Sequence, residues 1–132
     1  MDFRDEDIFM AGMFLVIHIA LLVEILALTI QLIRRKKVKG IAIRLGIAAA
    51  LTGLYWIFSL SHSTTVYYND WYVMGNDIRK VESKYGPFDK GSPQDGKGGW
   101  SCYYLNGSQG YWMKYNSEGK VTEIAYGYGP GG

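Results

Sequence analysis

The stretch IQLIRRKKVKGIAI, residues 30–43, sets Arg34, Arg35, Lys36, Lys37 and Lys39 between two oily runs. Upstream, Ile8 to Ile33 is interrupted by polar side chains only at His18, Glu24, Thr29 and Gln31. As a helix this run is about 39 Å long, more than the ~30 Å hydrocarbon core of a bilayer requires. Downstream, Ile41 to Ser61 forms a second run of about 31 Å by the same rise, with Arg44 as its only charge. The pair predicts a membrane α-helical hairpin of two transmembrane helices. A cleaved signal peptide fits the first run poorly. The N-terminus DFRDED is acidic, the apolar stretch is too long, and no small-residue cleavage site follows it.

Short loops rich in Lys and Arg stay on the cytoplasmic side. Residues 34–40 are therefore expected as a cytoplasmic turn in a two-pass plasma-membrane protein with both termini outside. This divides the chain into residues 1–62, the tail and hairpin, and residues 63–132, an extracytoplasmic domain. Arg34, Arg35, Lys36, Lys37 and Lys39 also suit anionic lipid headgroups, at about 1 kcal/mol per charge near the surface. Membrane lipid is thus an expected partner.

The net charge of +2 over 132 residues hides an uneven distribution. Residues 1–33 hold one basic and five acidic side chains, residues 34–63 six basic and none acidic, and residues 64–132 seven of each. A C-terminal part without net positive charge gives no electrostatic basis for nucleic-acid binding.

Polar residues inside the spans are candidates by position. A carboxylate such as Glu24 near the middle of a span must be protonated or paired. It serves either a helix–helix contact or a partner's transmembrane helix. His18, six residues earlier, lies about 120° around the helix from it, so the two do not share a face. Pairing Glu24 with Arg44 requires bridging a depth difference of about 8 Å, and Arg44 can instead snorkel to the cytoplasmic surface. GIAAALTG, residues 46–53, is small enough for close helix approach. Packing on the first helix is its simpler use, and a homo-oligomer through the transmembrane helices is the other.

Residues 64–132 read as a small α+β domain with one helix and a three-stranded antiparallel sheet. SHSTTVYYND, residues 61–70, reads as a stalk and lead-in. Asn76 is a plausible N-cap, Ile78, Val81 and Tyr85 recur on one helical face, and Gly86-Pro87 stops the helix. Residues 89–99 are Gly- and Asp-rich loop. WSCYYL, GYWMKYN and KVTEIAYG are aromatic and β-branched strands, separated by the turns NGSQ and SEGK. Alternation places Trp100, Cys102 and Tyr104 on one face, expected to be covered by the helix. Tyr103 and Trp112 then fall on the opposite face.

The order Gly75, a helix with Val81, Gly86-Pro87, an aromatic strand with Trp100, and then Tyr115, Gly119-Lys120-Val121 and Ile124 resembles the SmpA/OmlA (BamE-like) family, related in fold to the β-lactamase inhibitor protein. The likeness spans about half the chain. It implies a non-catalytic module that binds another protein. The sequence departs from the family in its double membrane anchor, where the family has a lipidated cysteine, and in its single expected helix, where the family usually has two.

No catalytic constellation, metal-ligand spacing or cofactor motif is present. Cys102, the only cysteine, is either a buried apolar residue or a cross-link to a second chain. What remains is aromatic surface, since a small sheet cannot bury every ring. Tyr103, Trp112, Trp71 and Tyr126 are the candidate partner-binding residues. The expected function is a membrane-anchored protein-binding module, a bacterial envelope accessory or an immunity-type inhibitor. The alternative is a small membrane subunit acting through its transmembrane helices, with Glu24 and His18, on a transporter, channel or receptor.

Overall fold

The computed structural model describes residues 5–129; Asp2 and Arg4 of the acidic N-terminus and the last three residues of the Gly-rich end lie outside them. The chain divides into two compact units, residues 1–60 and 61–132.

In the first unit, α1 (Asp5–Ile33) and α2 (Lys39–Ser61) are long and apolar enough to cross a membrane. No residue of α1 is buried. The helices run antiparallel, because the Tyr55 hydroxyl donates to the Met10 carbonyl while Arg44 reaches Glu24. The less exposed positions of α2 are Ile41, Leu45, Ala48, Thr52, Tyr55 and Ser59, three or four residues apart. On α1, Met10, Ile17, Glu24 and Gln31 recur every seven residues in the same way. This is the spacing of a left-handed knobs-into-holes seam.

The small residues of α2 do not fill that seam as expected. Gly46 and Gly53 are exposed, and a Cβ at either would meet nothing within 4 Å. Their spacing of seven sets them together on a face away from α1, and only Ala48 of the small run turns inward. The turn closes through a left-handed Arg35 at φ 50. The Arg35 amide donates to the Leu32 carbonyl at 3.1 Å and the Lys36 amide to the Gln31 carbonyl at 3.0 Å, the paired bonds of a Schellman cap.

The second unit holds α3 (Asp70–Val73), α4 (Ile78–Tyr85), β1 (Gly99–Asn106), β2 (Gln109–Tyr115) and β3 (Val121–Gly127). The three strands form an antiparallel sheet in the order β1-β2-β3. Two local expectations change. Asp77 rather than Asn76 caps α4, accepting from the Arg79 amide at 2.9 Å, while the Asn76 side chain accepts from the Asp77 amide. The expected stalk is folded, with Asn69 capping the one-turn α3 by accepting from the Tyr72 amide.

The largest difference is which face of β1 lies under the helices. A plain hairpin around Gly107-Ser108 would set Tyr103 opposite Trp112. A bulge between Tyr104 and Asn106 instead sets Tyr103 opposite Tyr111 and Cys102 opposite Trp112. One extra residue turns every side chain of a strand to the other face. The face under α3 and α4 therefore carries Tyr103, Tyr111, Met113, Tyr115 and Val121, packed against Val73, Ile78 and Val81. Trp100, Cys102 and Tyr104 lie on the opposite face.

Candidate functional site

The aromatic candidates separate by burial. Tyr103 is 4 % exposed; its hydroxyl donates to the Gly86 carbonyl at 2.6 Å, and its ring stacks on Tyr68 with centroids 4.9 Å apart. It is a core residue and offers no contact surface. Trp112, on the other face, is 5 % exposed. Its indole N–H donates to the Gly127 carbonyl at 3.0 Å, and Lys90 Nζ lies 5.7 Å from its ring. A Cβ added at Gly129 would stand 3.2 Å from the ring, so the chain after β3 lies against the indole. Tyr126 is half-buried, with its hydroxyl donating to Gln109 Oε1. Of the four candidates only Trp71, 60 % exposed, presents its side chain to the surroundings. The structure thus does not bring Tyr103 and Trp112 together on one surface.

Two exposed sets were not singled out from the sequence. Tyr67 and Met74 accompany Trp71 on the segment leading into α4. Tyr104 and Tyr128 are exposed near one end of the sheet, where Tyr104 pairs with Gly110 and Gly110 with Gly127. The signal for the first set was available: Tyr68, Asp70 and Val73 have inward roles, and their neighbours face away. The second set depends on the β1 bulge, which no residue type announces.

The segment bearing the first set is tied down by a buried carboxylate. Asp70 accepts from the Tyr111 hydroxyl at 2.6 Å through one oxygen, and from Ser63 Oγ and the Thr64 amide at 2.9 and 2.8 Å through the other. Burial, and next the hydrogen bond to Asp70, hold the Tyr111 phenol well above its ordinary range. Burial likewise raises Tyr103 and Tyr68. Cys102 is fully buried and free; burial pushes its thiol up to about 11, with Asp89 adding to the rise and Lys90 opposing it. At neutral pH it is an apolar thiol, not a nucleophile. Among the described residues no cluster of His, Cys, Asp or Glu could hold a metal ion.

In the helical unit the polar candidates find partners within the chain. Arg44 Nε lies 3.4 Å from Glu24 Oε2, closing the depth offset expected from the run ends. The pair borders a groove of about 330 Å³ lined by Val16, Ile17, Ala20, Ile47, Ala48 and Leu51. His18 is held at both nitrogens: Nε2 accepts from the Trp56 indole at 3.1 Å, and Nδ1 stands 2.8 Å from the Phe14 carbonyl. An indole only donates, so Nε2 is the acceptor in this contact. Glu24 and His18 have separate partners, consistent with their lying on different faces. Arg34, Arg35, Lys36, Lys37 and Lys39 are all exposed around the turn.

No family model, curated protein or solved structure matches this chain. The functional reading rests on the geometry above.

Proposed function

We propose that this chain is a membrane-anchored, extracytoplasmic protein-binding module. The observation that carries the anchor is α1, a 29-residue helix whose long, mostly apolar run from Ile8 to Ile33 has no residue buried in the chain. Water gives such a surface no favourable environment, and a hydrocarbon layer does. The exposed cluster Arg34 to Lys39 supports a cytoplasmic turn, with the α+β unit outside. The contact surface is the end of the sheet carrying Tyr104 and Tyr128, since Tyr103 and Trp112 are withdrawn. The SmpA/OmlA resemblance of the sequence belongs to this proposal, and with it a non-catalytic role.

Protease added to intact cells or spheroplasts should remove the α+β unit while residues within the membrane survive. A unit digested only after lysis sinks the orientation. Replacing Tyr104 and Tyr128 by Ala should lower recovery of a cross-linked partner without loss of folding, and unchanged recovery removes this surface.

A second reading is favoured by the outward face bearing Gly46 and Gly53. Small residues spaced this way allow close approach of another helix in a membrane. In that reading the chain acts through its helices, either as a homo-oligomer or on a larger membrane partner. Gly53→Ile should then abolish cross-linking between helices, and intact cross-linking discards it.

A further inference from the structure

The sixteen residues from the end of α2, Ser61 to Asn76, contain one formally charged side chain, Asp70, and it is buried. They contain no Lys or Arg. Within them Tyr68 packs into the core, Asp70 is bonded to Ser63, Thr64 and Tyr111, and Val73 is fully buried. Those inward roles leave Tyr67, Trp71 and Met74 facing away from the core, 63 %, 60 % and 47 % exposed. Trp71 and Met74 are three apart across the turn of α3, which sets them on one side of it. The Asn69 amide donates to the Tyr85 hydroxyl and its side chain caps α3, so the segment is fixed before any partner arrives.

From these observations we infer that Tyr67, Trp71 and Met74 seat the α+β unit on the lipid headgroup–acyl boundary. The inference rests on the membrane reading of α1 and α2. Three arguments select lipid over protein as the occupant. Tyr67 is six residues beyond the end of α2 at Ser61, a reach of at most about 20 Å. Ser63 and Thr64, already tied to Asp70, shorten that reach. The side chains are amphipathic Trp and Tyr with one flexible thioether, and Trp and Tyr concentrate at membrane–water boundaries. No exposed formal charge in the segment has to lose water on approach, whereas charged surface elsewhere on the unit would resist it. Because the segment is rigid, little conformational entropy is lost on seating.

The test uses the full chain in phosphatidylcholine vesicles, with a nitroxide on single introduced cysteines at Trp71→Cys, Tyr67→Cys, Ser117→Cys and Leu22→Cys. Cys102 is fully buried and leaves the introduced thiol as the labelling site. Accessibility to oxygen is compared with accessibility to a water-soluble nickel complex. The expected result is an oxygen-to-nickel ratio at positions 67 and 71 severalfold above that at 117 and below that at 22. A ratio at 71 equal to that at 117, with 22 still deep in lipid, overturns the seat and leaves the anchor standing. A water-exposed label at 22 overturns the anchor itself and the seat with it. Shielding of 71 from both reagents that grows with protein-to-lipid ratio assigns the patch to a second copy and overturns the lipid seat.

Discussion

Asp70 accepts hydrogen bonds from three separate partners within the α+β unit. Its carboxylate fastens the segment after α2 to the middle of β2 through Tyr111 and closes the 63–64 turn. A buried acceptor that loses its partners costs far more than the bonds contribute net. Asp70→Ala should therefore lower stability by about 3 kcal/mol or more, leaving the Tyr111 hydroxyl and the Thr64 amide unpaired. Tyr111→Phe should cost about 1.5–3 kcal/mol, because one bond to a charged group is lost while the others persist. Urea titration followed by near-ultraviolet circular dichroism distinguishes the two. The same buried groups give the unit an alkaline limit. Cys102 is raised from 9.0 to about 11, and Tyr68, Tyr103 and Tyr111 are raised above 10.0. A group whose folded pKa exceeds its unfolded value contributes fully below the unfolded value and loses that contribution as pH rises. Stability from these four groups should be level through neutrality, begin to fall above pH 9 and fall faster above pH 10. Tyr111→Phe should flatten the decline above pH 10, and an unchanged slope would mean that the phenol is not the titrating group.

At the scale of elements, both long helices, α4 and all three strands were legible: the long helices are written as apolar runs of membrane-spanning length, α4 and the strands as local periods bounded by turn residues such as Gly, Pro and Asn. The face of β1 was not legible. Alternation correctly groups Trp100 with Cys102 and Tyr104, but pairing with β2 depends on the bulge between Tyr104 and Asn106. A reader of the sequence counts from the Gly107 turn and arrives one residue out, which exchanges Tyr103 for its neighbours. The nearest written clue is Gly110. A Cβ there would stand 2.3 Å from Cys102 Sγ and 2.9 Å from the Tyr103 carbonyl, so the bulged register requires glycine at that place. Gly110→Ala should destabilise the unit by about 1–3 kcal/mol through overpacking. Combining it with Cys102→Ala should recover part of the loss, because the main-chain clash with Tyr103 remains. Full recovery would mean that the thiol alone dictates the glycine. The one-turn α3 was hidden for a related reason: four residues are too few for any period, and the turn exists because Asn69 and Asp70 are held from outside it.

At the scale of the whole chain, the basic turn and the Glu24–Arg44 pair make separable claims. The pair joins the two helices at one depth, as the Tyr55–Met10 bond does at another. In an apolar surrounding, removing one partner strands the other, whereas replacing both with apolar residues of similar volume is often neutral or better. Glu24→Leu alone should weaken the hairpin, and Glu24→Leu with Arg44→Leu should restore it, as read by thermal loss of helicity in micelles. A double variant no better than the single would assign the carboxyl a function beyond pairing. The turn, by contrast, is proposed to set direction. Its five cations are themselves all exposed, so their removal should leave helix packing intact. Loop Lys and Arg bias insertion because they resist translocation. Changing Arg34, Arg35, Lys36 and Lys37 to Gln leaves Lys39 and Arg44 as the only basic residues of the region. Protease added to intact cells should then digest the α+β unit in only a fraction of the molecules, while the unchanged chain loses it completely. Complete digestion in both would separate the orientation of this chain from its basic turn, and the acidic residues Asp5, Glu6 and Asp7 at the start of α1 would become the next positions to vary.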